Sequence, residues 1–220
     1  MARRPNLIVV RATDASVHER WLGSGARNFD LMVSYSGDHA GRYNQGVEYY
    51  NAMKGPQWPA CHALFTQYMK LVGDYERVAI VCDDIDANAR IWDTLFHCCD
   101  WYGLDLAHPA VVGHASTDIT TPRDGCILRY MDALDSLAPI FARRALERVL
   151  PTFVESIPEG ELSAAWSRLL PWPEYRSAIV DTVKVTRTIA AWGGPARPTL
   201  EAREHARLRL VHEEPQGETR

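Results

Sequence analysis

The apolar run Ala79-Ile80-Val81-Cys82 breaks at once into Asp83 and Asp84, with Asp86 two positions on. Three carboxylates within four residues repel one another unless water solvates them or a cation neutralises them. A hard divalent ion such as Mg2+ or Mn2+, shared with a bound diphosphate, is the simplest neutraliser, because such ions take oxygen ligands. The same residues also read as a polar loop in which Asp86 only caps the helix that follows. The run before them has strand length and β-rich composition, and the pattern after them is helical. The acids therefore fall just past a strand's carboxyl end, where open α/β sheets bind ligands.

Two other predicted strands end in polar residues. Leu7-Ile8-Val9-Val10 is a continuous apolar run, as in a strand buried on both faces, and gives way to Arg11, Thr13, Asp14 and Ser16. Phe29 to Tyr35 forms a second strand and ends in Ser36-Gly37-Asp38. Arg11, Asp14 and Asp38 suit the base, ribose or phosphate of a nucleotide, while Asp14 or Ser16 equally suits the cap of a short helix running to Trp21. Lys54, beside Gly55 and close to Trp58, fits either a phosphate contact or an exposed lysine in a turn.

The elements that must position these residues follow from periodicity. Leu64, Phe65 and Tyr68 predict a helix from Cys61. Ile91, Leu95, Cys98, Cys99 and Tyr102 form an amphipathic stripe that places both cysteines on the packing face. Leu104 to Val112 reads as a strand. Leu128 to Phe141 is apolar except for Asp132 and Asp135, one of which should face a pocket or solvent. Helices follow at Ala142–Leu150 and Leu162–Leu170, and a late strand at Ala178–Val185.

The fold class is α/β: a single domain over residues 1–195 with a mixed, mostly parallel sheet flanked by helices. Residues 196–220 are expected to form a charged C-terminal helix, Glu201 to Val211, and a disordered tail. That helix would pack on the body or on a second copy of the chain, as a homodimer.

The whole chain narrows the class of function. Its 220 residues and 46% apolar content suit one globular domain. A net charge of -4, with 24 basic and 28 acidic residues intermixed, speaks against nucleic acid as a partner. No apolar run reaches membrane-spanning length, and the four apolar residues before Arg11 are too short for a leader, so a cytoplasmic location with reduced thiols is expected. His97-Cys98-Cys99 does not suit zinc, since adjacent helical residues point apart. His108 and His114 read as metal ligands or as hydrogen-bonded structural residues.

The order of segments resembles the domain of unknown function 707 family. The matching stretches are Val10-Arg11-Ala12-Thr13-Asp14-Ala15-Ser16, Arg27 to Tyr35, Lys54-Gly55-Pro56-Gln57-Trp58, Cys82-Asp83-Asp84-Ile85, Ala138-Pro139-Ile140-Phe141 and Arg148 to Phe153. This resemblance implies a GT-A-like glycosyltransferase domain that binds a nucleoside-diphosphate sugar and passes the sugar to an acceptor. It implies Arg11, Asp14, Asp38 and Lys54 around the nucleotide, Asp84 at an Mn2+ or Mg2+ ion, and Asp83 at the ribose or the metal.

Three positions depart from the family pattern. Cys82 stands where a third aspartate is usual. Ser163 replaces the aspartate that would act as general base, and serine cannot take that proton at neutral pH. Arg187 replaces a metal-binding histidine, and its guanidinium could neutralise a diphosphate directly. Glu161 or Asp135 is left as the substitute base. The alternative implied by these losses is a catalytically degenerate module that keeps the fold for binding or assembly.

Overall fold

The structure, a computed structural model, describes residues 3–23, 25–113, 119–154, 159–188 and 209–212. Strands β1 (Asn6–Ala12), β2 (Phe29–Tyr35), β3 (Tyr49–Ala52) and β4 (Arg77–Cys82) lie parallel in the order β3-β2-β1-β4. Beyond β4 the sheet continues through β8 (Ile140–Ala142), β6 (Leu106–Val112), β9 (Ser177–Arg187), β7 (Cys126–Tyr130) and β10 (Arg209–His212). The two-residue β5 (Ile85–Asp86) pairs with the far end of β9. The longest ladders, β1 with β2 and with β4 and β6 with β9, are parallel, while β8 runs antiparallel to both its neighbours. This is the mixed α/β sheet expected from the apolar runs.

Helices cover both faces. On one face Trp92, Leu95, Phe96 and Cys99 of α3 (Ala89–Trp101) pack with Ile8, Val10, Leu31 and Val33. On the other, α1 (Gln57–Gln67), α4 (Arg143–Val149) and α5 (Glu159–Leu169) pack with Leu7, Val9, Met32 and Ile80. Alternate residues of β1 thus serve opposite cores, and full burial of each such side chain is worth about 1.5–3 kcal/mol. A short helix, α2 (Met69–Gly73), follows α1 after a break at Tyr68. No helix among the described residues is long and apolar enough to cross a membrane.

Several local expectations change. The cap of α3 is Asn88, whose side chain accepts the Ile91 N–H, and not Asp86, which lies in β5 and pairs with Arg20 at 2.7 Å. Neither Asp14 nor Ser16 caps the 3-10 turn His18–Trp21, which starts from Val17 without a side-chain cap. The packing face of α3 is wider than the apolar stripe: Trp92 and Phe96 are buried with Leu95 and Cys99, while Ile91, Cys98 and Tyr102 are partly buried against the same core. None of the five cysteines forms a disulfide, and burial pushes the Cys61 and Cys99 thiols up to about 12.

The stretch from 128 to 141 is split between β7 and β8. At the C-terminus, Arg209–His212 is a strand antiparallel to β7 where the charged pattern predicts the end of a helix. An open strand edge offers backbone partners that helical periodicity does not register. The rest of that predicted helix, residues 201–208, and the tail from Glu213 lie outside the described residues, as do His114 and the loop 114–118.

Candidate functional site

Parallel, in-register pairing brings the predicted strand ends to one edge. Arg11 lies opposite Ser34 and Cys82, and Tyr35 lies opposite Ala12 and Ala52. The loops that leave β1, β2, β3 and β4 therefore emerge side by side. Asp83 joins two of them: its Oδ2 accepts the Thr13 N–H at 2.7 Å and the Thr13 hydroxyl at 2.6 Å, and its carbonyl accepts the Val17 N–H at 2.8 Å. Burial pushes the Asp83 carboxyl upward, and the two Thr13 donors oppose that shift.

Asp14 organises the next loop. It accepts the Asp38 N–H at 3.0 Å, the Tyr35 hydroxyl and a His39 Nδ1 contact at 2.8 Å, and these bonds hold its carboxyl well below the usual range. Tyr43, held at φ +64°, donates its hydroxyl to the carbonyls of Asp14 and Ser16. A left-handed backbone at a bulky residue costs of order 1–3 kcal/mol, so the surrounding contacts must hold it there. Asp38 is 90% exposed and meets Lys54 Nζ at 2.6 Å; the lysine also donates to the carbonyls of Ser36 and Gly37.

Beside this pair lies a cavity of about 370 Å³ lined by Tyr35, Gly37, Asp38, Tyr50, Met53 and Lys54. The Tyr35 and Tyr50 rings are stacked, with centroids 6.5 Å apart. Sequence reasoning missed Tyr50, since β3 has no apolar period; the density of tyrosines between 43 and 50 was the available signal.

Arg11 takes a different place from the one expected. It is buried, and its fork is spent on the Ser34 hydroxyl at 2.8 Å and the carbonyls of Met53 and Gly55 at 2.8 and 2.7 Å. Burial lowers its guanidinium pKa, and its structural effect is to tie β1 to the turn after β3.

Asp84 is buried and paired. Arg187, at the end of β9, donates Nε–H to Asp84 Oδ2 at 2.5 Å, and Thr188 donates its N–H and hydroxyl to the Asp84 carbonyl at 2.8 and 2.9 Å. Among the described residues no three His, Cys, Asp or Glu side chains gather to hold a metal ion. A divalent ion at Asp84 would also meet an arginine already on that carboxylate. The donor set does not fit Mn2+ or Mg2+, which need about six oxygen ligands and no adjacent cation.

The candidate bases lie elsewhere. Ser163 is buried in α5 and donates its hydroxyl to the Leu134 carbonyl. Asp135 is also buried and accepts the Leu137 N–H at 3.0 Å; Leu137 in turn accepts the Cys82 N–H, so Asp135 stands near the same edge. Glu161 is exposed in the first turns of α5. His108 is a buried structural histidine whose Nε2 accepts the Ala138 N–H at 3.1 Å.

A second buried imidazole lies under the acidic loop. His18 Nδ1 contacts the Ser16 hydroxyl at 2.6 Å, and burial lowers its pKa from 6.5 to about 4. The unfolded chain takes up this proton near pH 6.5 while the folded chain waits until about 4. Stability is therefore complete above pH 6.5 and falls as the pH drops toward 4. His108, whose pKa is also lowered by burial, adds a contribution of the same sign. Urea midpoints at pH 7 and pH 5 should differ less in His18→Gln than in the wild type; equal differences would exclude His18 as a titrating group.

No family model and no curated protein matches the chain. Solved structures do. A fragment of S. aureus TarS superposes with a TM-score of 0.55 at 10% identity, covering 83% of this chain and 60% of that one. A longer TarS structure gives 0.54 at 10% identity, with 84% of this chain matched to 36% of TarS. At this identity the likeness is one of fold alone, and the fold is GT-A-like, a mixed α/β sheet flanked by helices. A protein provisionally named a nucleotide-diphospho-sugar transferase, from Desulfovibrio desulfuricans G20, also matches, with a TM-score of 0.48 and 11% identity over 83% of this chain and 80% of that one. In this chain the polar strand ends share the carboxyl edge of β3-β2-β1-β4, and Arg187 faces the acidic loop.

Proposed function

We propose that this protein binds a nucleoside-diphosphate sugar at the carboxyl edge of β3, β2, β1 and β4 and transfers the sugar to an acceptor. The reading is carried by one observation: Asp14, Asp38, Lys54, Asp83 and Asp84, drawn from four separate loops, converge on that edge beside an aromatic cavity. The half-buried Tyr50 ring, backed by the buried Tyr35, offers a face to a planar base, and Lys54 a charge to a phosphate. The GT-A-type fold and the resemblance to the domain of unknown function 707 family support the same assignment.

Transfer would break the bond between the sugar's anomeric carbon and the diphosphate oxygen and form one to an acceptor hydroxyl, whose proton goes to a base. Asp135 and Glu161 are the carboxylates available for that proton. A second reading, binding without transfer, is favoured by Ser163, whose hydroxyl is committed to the Leu134 carbonyl.

Thermal unfolding with ADP, CDP, GDP or UDP tests the binding claim. At a hundredfold excess over Kd, a ligand adds about 2.7 kcal/mol to stability, so at least one nucleotide should raise the Tm by several degrees. Asp83→Ala should abolish that rise, because the Thr13 loop loses its anchor on β4, and should itself cost about 1–3 kcal/mol. No rise with any nucleotide in the wild type would overturn the assignment. Release of sugar from the bound donor would separate transferase from binder.

A further inference from the structure

We infer that Arg187 serves as a built-in cation at this site, so that the diphosphate is held without a divalent metal. The inference rests on the nucleotide reading above and concerns the same edge. The ladder of β9 with β5 sets Arg187 opposite Ile85 and Thr186 opposite Asp86, which brings the strand end against the acidic loop. The salt bridge from Arg187 Nε to Asp84 Oδ2, at 2.5 Å, is largely dry: the two side chains are 19% and 8% exposed. Thr188 clamps the Asp84 carbonyl from the same strand end, so the arginine and the carboxylate are positioned as one unit.

Two groups of this unit keep hydrogen-bonding capacity unused among the described residues. A guanidinium carries five N–H donors in a rigid fork. Only Nε is engaged by Asp84, and neither Nη group makes a hydrogen bond within the described residues. A planar fork with two free nitrogens matches two phosphate oxygens bidentately, which an ammonium cannot do. The second group is the Asp84 carboxylate, whose Oδ1 is buried and has no hydrogen-bond partner among the described residues. A buried carboxylate oxygen of this kind is completed by a donor such as a ribose or sugar hydroxyl.

A divalent cation competes poorly for this place. Its distance to a carboxylate oxygen, about 2.0–2.6 Å, would set it against the guanidinium on the same group, where like charges repel strongly in a half-dry environment. Asp83, the other carboxylate of the loop, already directs Oδ2 at both donors of Thr13. Arg187 already pairs with Asp84, so that carboxylate offers a metal little net charge, and the diphosphate is met by the hydrogen bonds of the guanidinium's Nη groups.

Titration calorimetry of wild type, Arg187→Ala and Arg187→Lys with the tightest of ADP, CDP, GDP and UDP, in EDTA and in Mn2+, tests the inference. Wild-type affinity should be the same in both buffers within about twofold. Arg187→Ala should bind about 10- to 100-fold more weakly, the loss of a charge-assisted pair of hydrogen bonds, and Arg187→Lys should recover only part of it. An Mn2+ gain of about tenfold or more in the wild type, or unchanged binding by Arg187→Ala, would overturn the inference while leaving nucleotide binding intact. Absence of binding in both buffers would overturn the nucleotide reading and the inference with it. The wild-type buffer comparison decides the matter even if the Arg187 variants fold poorly.

Discussion

Asp181→Ala is expected to lower the free energy of unfolding by about 3–5 kcal/mol, the cost of leaving a buried charge without its partner. Arg129 and Asp181 are both 1% exposed, and the guanidinium donates Nε–H and Nη2–H to the two carboxylate oxygens at 2.8 and 2.9 Å. The pair lies at a register irregularity of the sheet. Pro109 sits in β6, where it has no N–H to give the ladder, and pairing with β9 jumps from Pro109–Val180 to Ala110–Lys184. Asp181 falls in the resulting bulge. It also accepts the Arg123 N–H at 2.9 Å, while Arg129 donates to the Thr121 carbonyl, so the pair holds the 119–123 turn onto the sheet. Urea unfolding of Asp181→Ala, Arg129→Met and the Arg129→Met/Asp181→Leu double variant tests this. The double variant should recover most of the loss, since removing both charges leaves nothing uncompensated. A loss below about 1 kcal/mol in the single variants would show that water reaches the pair.

Trp166→Ala should cost a similar amount, about 3–5 kcal/mol, as truncation of a large core aromatic does. Trp166 is 1% exposed and meets rings from three other elements: Trp58 at 5.2 Å in α1, Phe141 at 5.2 Å in β8 and Phe153 at 6.1 Å in a second 3-10 turn, Leu150–Phe153. Its Nε1–H donates to the Thr152 hydroxyl at 3.2 Å. The indole is thus the joint through which α5, and with it Ser163 and Glu161, is attached to the body. Hydrogen exchange in α5 should accelerate more than in β1 when the indole is lost, and Trp166→Phe should retain about half of the stability. Uniform acceleration across α5 and β1 would refute a local anchoring role.

The parts of the fold that were readable are those where one face or both faces of an element are strictly apolar. β1, β2, β4, β6 and β9 announce themselves as runs of β-branched and aliphatic residues, and α4 and α5 as helical stripes. β3 did not, because its Tyr-Tyr-Asn-Ala sequence is half-buried and owes its strand geometry to the open edge of β2. The stripe of α3 does pack on the core, but counting apolar positions leaves out Trp92 and Phe96, which are the most deeply buried rings of that helix. Residues 209–212 read as helical because charge patterning is local, whereas their pairing with β7 joins positions about eighty apart in the chain.

The amino-acid sequence by itself determined that this is an α/β chain with acids and hydroxyls at the ends of its strands. Short-range periodicity and composition are enough for that, because burial on a strand or helix selects residue types position by position. Arg187 stood out only through the resemblance to a family pattern that has a histidine at that place. What tertiary structure alone decided is the partner of each polar group. Asp84 and Arg187 are separated by 103 positions and meet only through the β5 and β9 ladder. Arg11 turns from a candidate nucleotide contact into a buried tie because the turn after β3 closes over it. Hydrogen bonds and ion pairs act over a few ångströms in space, and sheet order, which local patterns do not encode, sets which residues come that close.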